Sequence, residues 1–170
     1  SPNYFTNESR IEYFKRTSFT FEQWVKISDH CKSKGVEFIS SPFSLEAVEL
    51  LEKIGVKAYK VPSGEVTNLP LLEKIVSTSK DVYLSSGMSD WGEIDRAVNV
   101  LRNCPNLIPM QCSSSYPCKV ESVGLNVISE MRQRYNLPVG FSDHTLGFAA
   151  GISAVALGCV AIEKHFTFSK

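Results

Sequence analysis

Six short apolar segments recur along this chain at near-regular intervals: Val36–Ser41, Tyr59–Pro62, Val82–Ser85, Leu107–Cys112, Pro138–Ser142 and Ala161–Phe166. Their starts lie 23, 23, 25, 31 and 23 residues apart. All are rich in β-branched or aromatic residues, and all but the last end in polar or glycine-containing stretches, the pattern of buried strands. Amphipathic stretches with helix punctuation lie between them. Ser44 is placed to cap LEAVELLEKI, which Gly55 stops. Asn68 precedes LPLLEKIV, with Pro70 in the first turn, where a missing N–H costs nothing. Ser89 precedes DWGEIDRAVNVLR, whose acidic residues come early, where the helix dipole favours them. Thr145 precedes LGFAAGISAVALG, apolar enough to predict a helix buried on most sides. Thr20 and Gln23 form a capping box ahead of FEQWVKISDHCKSKG, one helix before the first strand.

Alternating strand and helix implies parallel strands joined by right-handed crossovers. An open doubly wound sheet and a (β/α)8 barrel both obey that grammar. A complete barrel takes about 250 residues, and the 170 residues here supply six units. The chain is therefore an open six-stranded sheet or a barrel lacking two strands, and periodicity does not choose between them. The length suits one sizeable core and is too short for two ordinary domains.

The charge balance removes several function classes. Eighteen basic and 18 acidic side chains give a net charge of zero, which offers no footprint for nucleic acid or an anionic membrane surface. An anionic ligand must then be held by a local site. No apolar run approaches membrane-spanning length, and SPNYFTNESRIEYFKR lacks the apolar stretch of a signal peptide. The five cysteines are odd in number and form no CxxC pair. They read as free thiols, which points to a reducing cytoplasm.

Polar residues gather at the carboxyl end of every predicted strand. They are Ser40-Ser41, Lys60 with Ser63-Gly64-Glu65, Ser85-Ser86-Gly87, Ser113-Ser114-Ser115-Tyr116, Ser142-Asp143-His144 and Glu163-Lys164-His165. In parallel α/β folds of either kind, ligands bind at that rim. Hydroxyls, backbone N–H groups near helix N-termini and a lysine make a cradle for the phosphate or carboxylate of a small molecule. Neither GxxxxGK[ST] nor GxGxxG occurs, so the cradle is not a P-loop or a dinucleotide fingerprint.

Individual residues keep alternatives. His144 and His165 each end a strand. They either share a divalent ion such as Mn²⁺, leaving positions open for water or a substrate carbonyl, or are hydrogen-bonded structural histidines; Glu163 and Asp143 nearby favour the metal. His30 falls within a helix and reads as a surface residue. Lys60 and Lys164 lie in apolar strand surroundings, as Schiff-base nucleophiles or as phosphate-pairing cations. Glu65 is a general acid or base, a partner for a sugar hydroxyl, or an early-helix carboxylate.

The strings GVEFISSPF, YKVPSGEVTNLPLLEKI, VYLSSGM, QCSSSYP, GFSDHTLG and AVALGCVAIEKHFT closely resemble the N-acetylneuraminate synthase family, which includes sialic, legionaminic and pseudaminic acid synthases. The match runs in order from about Phe21 to the end. The resemblance implies a (β/α)8 barrel, of which the chain holds about strands 3 to 8. It implies a divalent metal, usually Mn²⁺ with Mg²⁺ as the alternative, on His144 and His165. Phosphoenolpyruvate contacts carry over to Lys60, Ser63, Ser85 and Ser142, and to Ser41, where the family usually has threonine. Glu65 and Tyr116 match positions facing an N-acylated amino sugar, and Ser114 a ligand-contacting position. Lys60 and Glu65 are thereby the implied catalytic residues, with Lys60 a phosphate ligand and no Schiff base required.

Three positions depart from the family pattern. Ser44 replaces a usual aspartate, Gly124 stands where asparagine is common, and Phe141 replaces a tyrosine before SDHT. The resemblance also implies two absent strand units and an absent antifreeze-like domain, which in the family reaches over the active site of a partner subunit in a homodimer. The chain is accordingly expected to be a fragment with little activity alone. Other phosphoenolpyruvate-condensing barrels use an arginine-rich sugar-phosphate site, whereas Arg96, Arg102, Arg132 and Arg134 are predicted on helices or their ends.

Overall fold

The computed structural model describes residues 8–168. They fall into two compact units divided between Phe38 and Ile39. The first contains helices α1 (Arg10–Thr17) and α2 (Phe21–Ser33), each opened by a capping box: Ser9 with Glu12, and Thr20 with Gln23. Phe19 meets Trp24 edge-on at 5.2 Å, and Phe38 lies 6.1 Å from the same indole.

The second unit alternates helix and strand: α3 (Leu45–Ile54), β1 (Ala58–Val61), α4 (Leu69–Val76), β2 (Asp81–Ser85), α5 (Trp91–Leu101), β3 (Leu107–Cys112), α6 (Asn126–Tyr135), β4 (Gly140–Asp143), α7 (Ala149–Ala156) and β5 (Ala161–Lys164). The strands are parallel and ordered β1-β2-β3-β4-β5. A doubly wound sheet reverses its strand order at a switch point; this one never does. The five strands curl into a half-barrel, which settles the choice that periodicity left open.

The helix punctuation holds in most places. Ser44 accepts from the Ala47 N–H at 3.1 Å, so serine caps α3 where the family pattern has aspartate. Gly55 closes that helix in the left-handed conformation. Asn68 caps α4, with proline in its first turn. The core lies between the sheet and α3–α6. Leu72, Ile75, Leu101, Ile128 and Met131 from the helices are fully buried with Tyr59, Val61, Val82 and Phe141 from the strands, each side chain contributing about 1.5–3 kcal/mol.

Four expectations need correction. Val36–Ser41 is no strand: only Ser40 bridges Tyr59, with the Lys60 N–H donating to the Ser40 carbonyl at 3.1 Å. Val36 and Ile39 remain 59% and 40% exposed, so burial does not drive extension there. The last strand stops at Lys164, short of Phe166. The cap of α5 is Asp90 and not Ser89, because Asp90 and Glu93 exchange both bonds of a capping box. Helix α7 starts at Ala149 and buries only Ala150 and Ala154, while Ile152 and Val155 are exposed. Apolar composition alone did not fix the covering of that face. No helix among the described residues is long and apolar enough to cross a membrane.

Candidate active site

The carboxyl ends of all five strands open into one cavity of about 400 Å³. Ser41, Lys60, Ser63, Ser85, Ser114, Tyr116, Ser142, His144 and His165 all line it. Of the residues that the family resemblance assigns to the site, only Glu65 is not in the lining. It ends a 3-10 turn, Ser63–Glu65, and its Oε2 accepts from Asn68 Nδ2 at 2.7 Å, which ties it to the cap of α4. Glu163, Cys112 and Met88 join the lining; the sequence offered Glu163 only as a neighbour favouring a metal on the histidines, and gave no role to Cys112 or Met88. Alternation along a strand was the available signal for Glu163: residues i and i+2 share a face, so Glu163 accompanies His165.

The cradle is built across strands. Lys60, on β1 and 9% exposed, donates to Ser85 Oγ at the end of β2 and pairs with Glu163 Oε2 on β5 at 3.0 Å. Ser142 on β4 donates to the same carboxylate oxygen at 2.5 Å. Burial pushes the Glu163 carboxyl upward, but the Lys60 ammonium and the Ser142 hydroxyl outweigh it and hold the group below its ordinary value. A cation and two hydroxyls thus converge where small anions bind in such folds.

The two histidines face each other beside that cradle. Their ring centroids are 5.3 Å apart, and the Tyr116 ring lies 4.1 Å from His144 and 5.5 Å from His165. His144 Nδ1 is 3.0 Å from the Ser113 carbonyl. A carbonyl only accepts, so Nδ1 carries a proton; Nε2, 3.4 Å from Ser142 Oγ, is the nitrogen left on the cradle side of the ring. Among the described residues no three His, Cys, Asp or Glu side chains gather as a closed ligand set. Two imidazoles with one anchored outer nitrogen fit a divalent ion whose other positions go to water or substrate oxygen.

Lys164 is not in apolar surroundings as the sequence suggested. Its Nζ bonds Asp143 Oδ2 and the Thr145 carbonyl, each at 2.8 Å. The four helix arginines Arg96, Arg102, Arg132 and Arg134 do not line the cavity; Arg134 pairs with Asp95, and Arg132 donates to the Leu157 and Gly158 carbonyls. His30 is an exposed residue of α2. All five cysteines are free thiols.

Gly124, at φ 68°, occupies the left-handed region that glycine and asparagine both tolerate, and a Cβ there would sit 2.7 Å from Gln111 Nε2. Phe141 is fully buried, where no hydroxyl is needed.

The chain is 47% identical over 161 residues to an uncharacterized protein of Methanocaldococcus jannaschii, covering 94% of this chain and 48% of that protein. It is 39% identical over 168 residues to the N,N'-diacetyllegionaminic acid synthase of Campylobacter jejuni, covering 96% of this chain and 50% of the synthase. The crystal structure of the N-acetylneuraminic acid synthetase from Leptospira borgpetersenii superposes with a TM-score of 0.89 at 29% identity. That match covers 98% of this chain and 59% of the synthetase. The chain spans about half the length of the curated relatives it matches. The NeuB family model matches residues 2–170 in one span, and the chain belongs to that family.

Proposed function

We propose that the whole protein condenses phosphoenolpyruvate with the aldehyde of an N-acylated, mannosamine-like amino sugar, yielding a nonulosonic acid and phosphate. The observation that carries this reading is the single cavity in which Lys60, Ser85 and Ser142 meet the His144–His165 pair. Lys60, Ser41, Ser63, Ser85 and Ser142 bind the phosphate and carboxylate of phosphoenolpyruvate, and the Lys60 ammonium offsets their charge. Tyr116 and Ser114 form the wall for the sugar, and Glu65, now held by Asn68 at the end of the Ser63–Glu65 turn, would have to leave that bond to meet a sugar hydroxyl. Mn²⁺, or Mg²⁺, held by His144 and His165 would supply Lewis-acid polarisation of the aldehyde and a template for both substrates.

In the reaction, the C2–C3 double bond of phosphoenolpyruvate supplies the electron pair for a new bond from C3 to the aldehyde carbon, whose oxygen gains a proton. Water oxygen bonds to C2, the C2–O bond to phosphorus-bound oxygen breaks, and phosphate leaves a keto acid behind. The sum is phosphoenolpyruvate, sugar and water in, acid and phosphate out. The chain's residues hold both partners in reach of one another, which is the larger part of such catalysis. A cytoplasmic homodimer is the assembly that fits this reading.

The test is phosphate release by the whole protein. It should require phosphoenolpyruvate, an N-acylmannosamine-type sugar and Mn²⁺ together; release at the same rate without sugar would refute the condensation.

A further inference from the structure

A second polar cluster lies one residue out of phase with the cradle. In the parallel register of β4 and β5, Ser142 pairs with Glu163 and Asp143 with Lys164. Alternation then sends Ser142 and Glu163 to one face and Asp143 and Lys164 to the other, although the Lys164 side chain still borders the cavity. The inner pair is a hydrogen bond, Ser142 to Glu163. The outer pair is an ion pair: Lys164 Nζ lies 2.8 Å from Asp143 Oδ2. Helix α7 closes over it, since a Cβ on Gly151 would come 3.6 Å from that carboxylate oxygen, and Asp143 is only 1% exposed.

The outer pair is tied into a ring. Asp143 Oδ1 accepts from the Thr145 N–H at 2.9 Å, and Lys164 Nζ also donates to the Thr145 carbonyl at 2.8 Å. The backbone of His144 is enclosed between these two anchored residues. Its own carbonyl accepts from the Cys118 N–H at 2.9 Å, and its ring from Nδ1 donates to Ser113. His165 follows Lys164 directly. The ion pair therefore joins the two strand ends one residue before each histidine.

We propose that the Asp143–Lys164 pair, closed through Thr145, is a positioning brace that sets His144 against His165. This rests on the reading of the two histidines as metal ligands. Two imidazoles that share an ion must keep a fixed separation. The residues that hold them contribute to affinity without touching the ion. Lys164 is thereby a positioning residue, its ammonium engaged by Asp143 and the Thr145 carbonyl.

The experiment is Mn²⁺ titration of the whole protein, read from the free-ion electron paramagnetic resonance signal, with a thermal melt on each variant. His144→Ala and His165→Ala should abolish binding. Lys164→Met should bind about 10- to 100-fold more weakly, and Lys164→Arg, which keeps the charge, should recover most of that loss. Should Lys164→Met not fold, Asp143→Asn with Lys164→Met leaves no buried charge unpaired and should show the same weakening. Wild-type affinity in the folded brace variants, beside its loss in both histidine variants, overturns the brace and leaves the ligand reading standing. A Lys164→Arg protein as weak as Lys164→Met also counts against it, because the loss then follows packing and not charge. Mn²⁺ binding that survives both histidine substitutions overturns the ligand reading and the brace together.

Discussion

The Lys60 ammonium lies 3.0 Å from a Glu163 carboxylate oxygen that also accepts the Ser142 hydroxyl. Two groups proposed to hold an anionic substrate are therefore already engaged by an anion of the protein. The arrangement keeps a largely buried lysine compensated while the cradle is free, and a buried charge without a partner is costly. An incoming phosphate or carboxylate has to take over those contacts.

Lys60→Met should remove a charge-assisted contact of about 1.5–3 kcal/mol, so phosphoenolpyruvate affinity, read by calorimetry on the whole protein, should fall about 10- to 150-fold. Glu163→Gln removes the competing carboxylate but keeps an acceptor for Ser142, and affinity should hold or rise. Equal weakening in both variants would mean that Glu163 helps bind the substrate and does not stand in its place.

Gly87 sits where Ser63, Ser114 and Cys112 converge. A Cβ at this position would lie 2.6 Å from Ser63 Oγ, closer still to Ser114 Oγ, and 3.2 Å from Cys112 Sγ. Those atoms belong to the cavity wall, and the lining must part to admit a methyl group. Gly87→Ala should lose phosphoenolpyruvate binding by at least about tenfold while the melting temperature moves by only a few degrees, the mark of local overpacking. Unchanged binding would show that the Ser63–Ser114 approach is not needed.

Much of this fold was legible because local signals and burial agree. Ser44, Gly55, Asn68 and the Thr20–Gln23 box mark helix ends in the sequence and serve there in the structure. The rim residues were legible for the same reason, since a strand's end is also where a parallel fold exposes polar groups. Helix α6 carries Arg132 and Arg134 as expected, but its ends are not marked in the sequence: its first residue follows Leu125, which offers no capping side chain, and it closes on Asn136 and not glycine. The Val36–Ser41 segment misled because residue types describe what a strand requires, while pairing decides whether one forms. Ser40 pairs on one side only, with Tyr59. Glu163 was visible in sequence, but its engagement of Lys60 is a β1-to-β5 contact between strands at opposite ends of the sheet order. Only the curl of the sheet brings them together.

Cys104 is a buried thiol whose pKa is pushed up from 9.0 to about 11, first by burial and then by the Asp81 carboxylate. The fold therefore favours the neutral thiol. Its stabilising share is complete below about pH 9 and fades as the pH climbs through about 11. Because the thiolate is the nucleophile, Cys104 should resist iodoacetamide at pH 8 in the native protein and react once the chain is unfolded. Peptide mass mapping reads both states. Native labelling of Cys104 as fast as of the half-buried Cys31 would contradict the burial assigned to it.

Helix α6 ends on Asn136, at φ 51° and ψ 45°, and its N–H donates to the Arg132 carbonyl at 3.0 Å. The left-handed conformation is required for that closing bond, and the chain then turns into β4. Side chains with a Cβ resist this region by about 1–2 kcal/mol, with asparagine the least penalised among them. Asn136→Ala should therefore lower stability by about 1 kcal/mol, a fall of about 2–4 °C in the melting temperature of a protein this size or somewhat larger. Asn136→Gly should match or exceed the wild type, because glycine meets no steric cost there and loses only its extra freedom in the unfolded chain. The position is exposed and outside the cavity lining, so phosphoenolpyruvate binding should be the same in all three proteins. Equal melting temperatures for the alanine and glycine variants would mean that α6 ends without the left-handed residue.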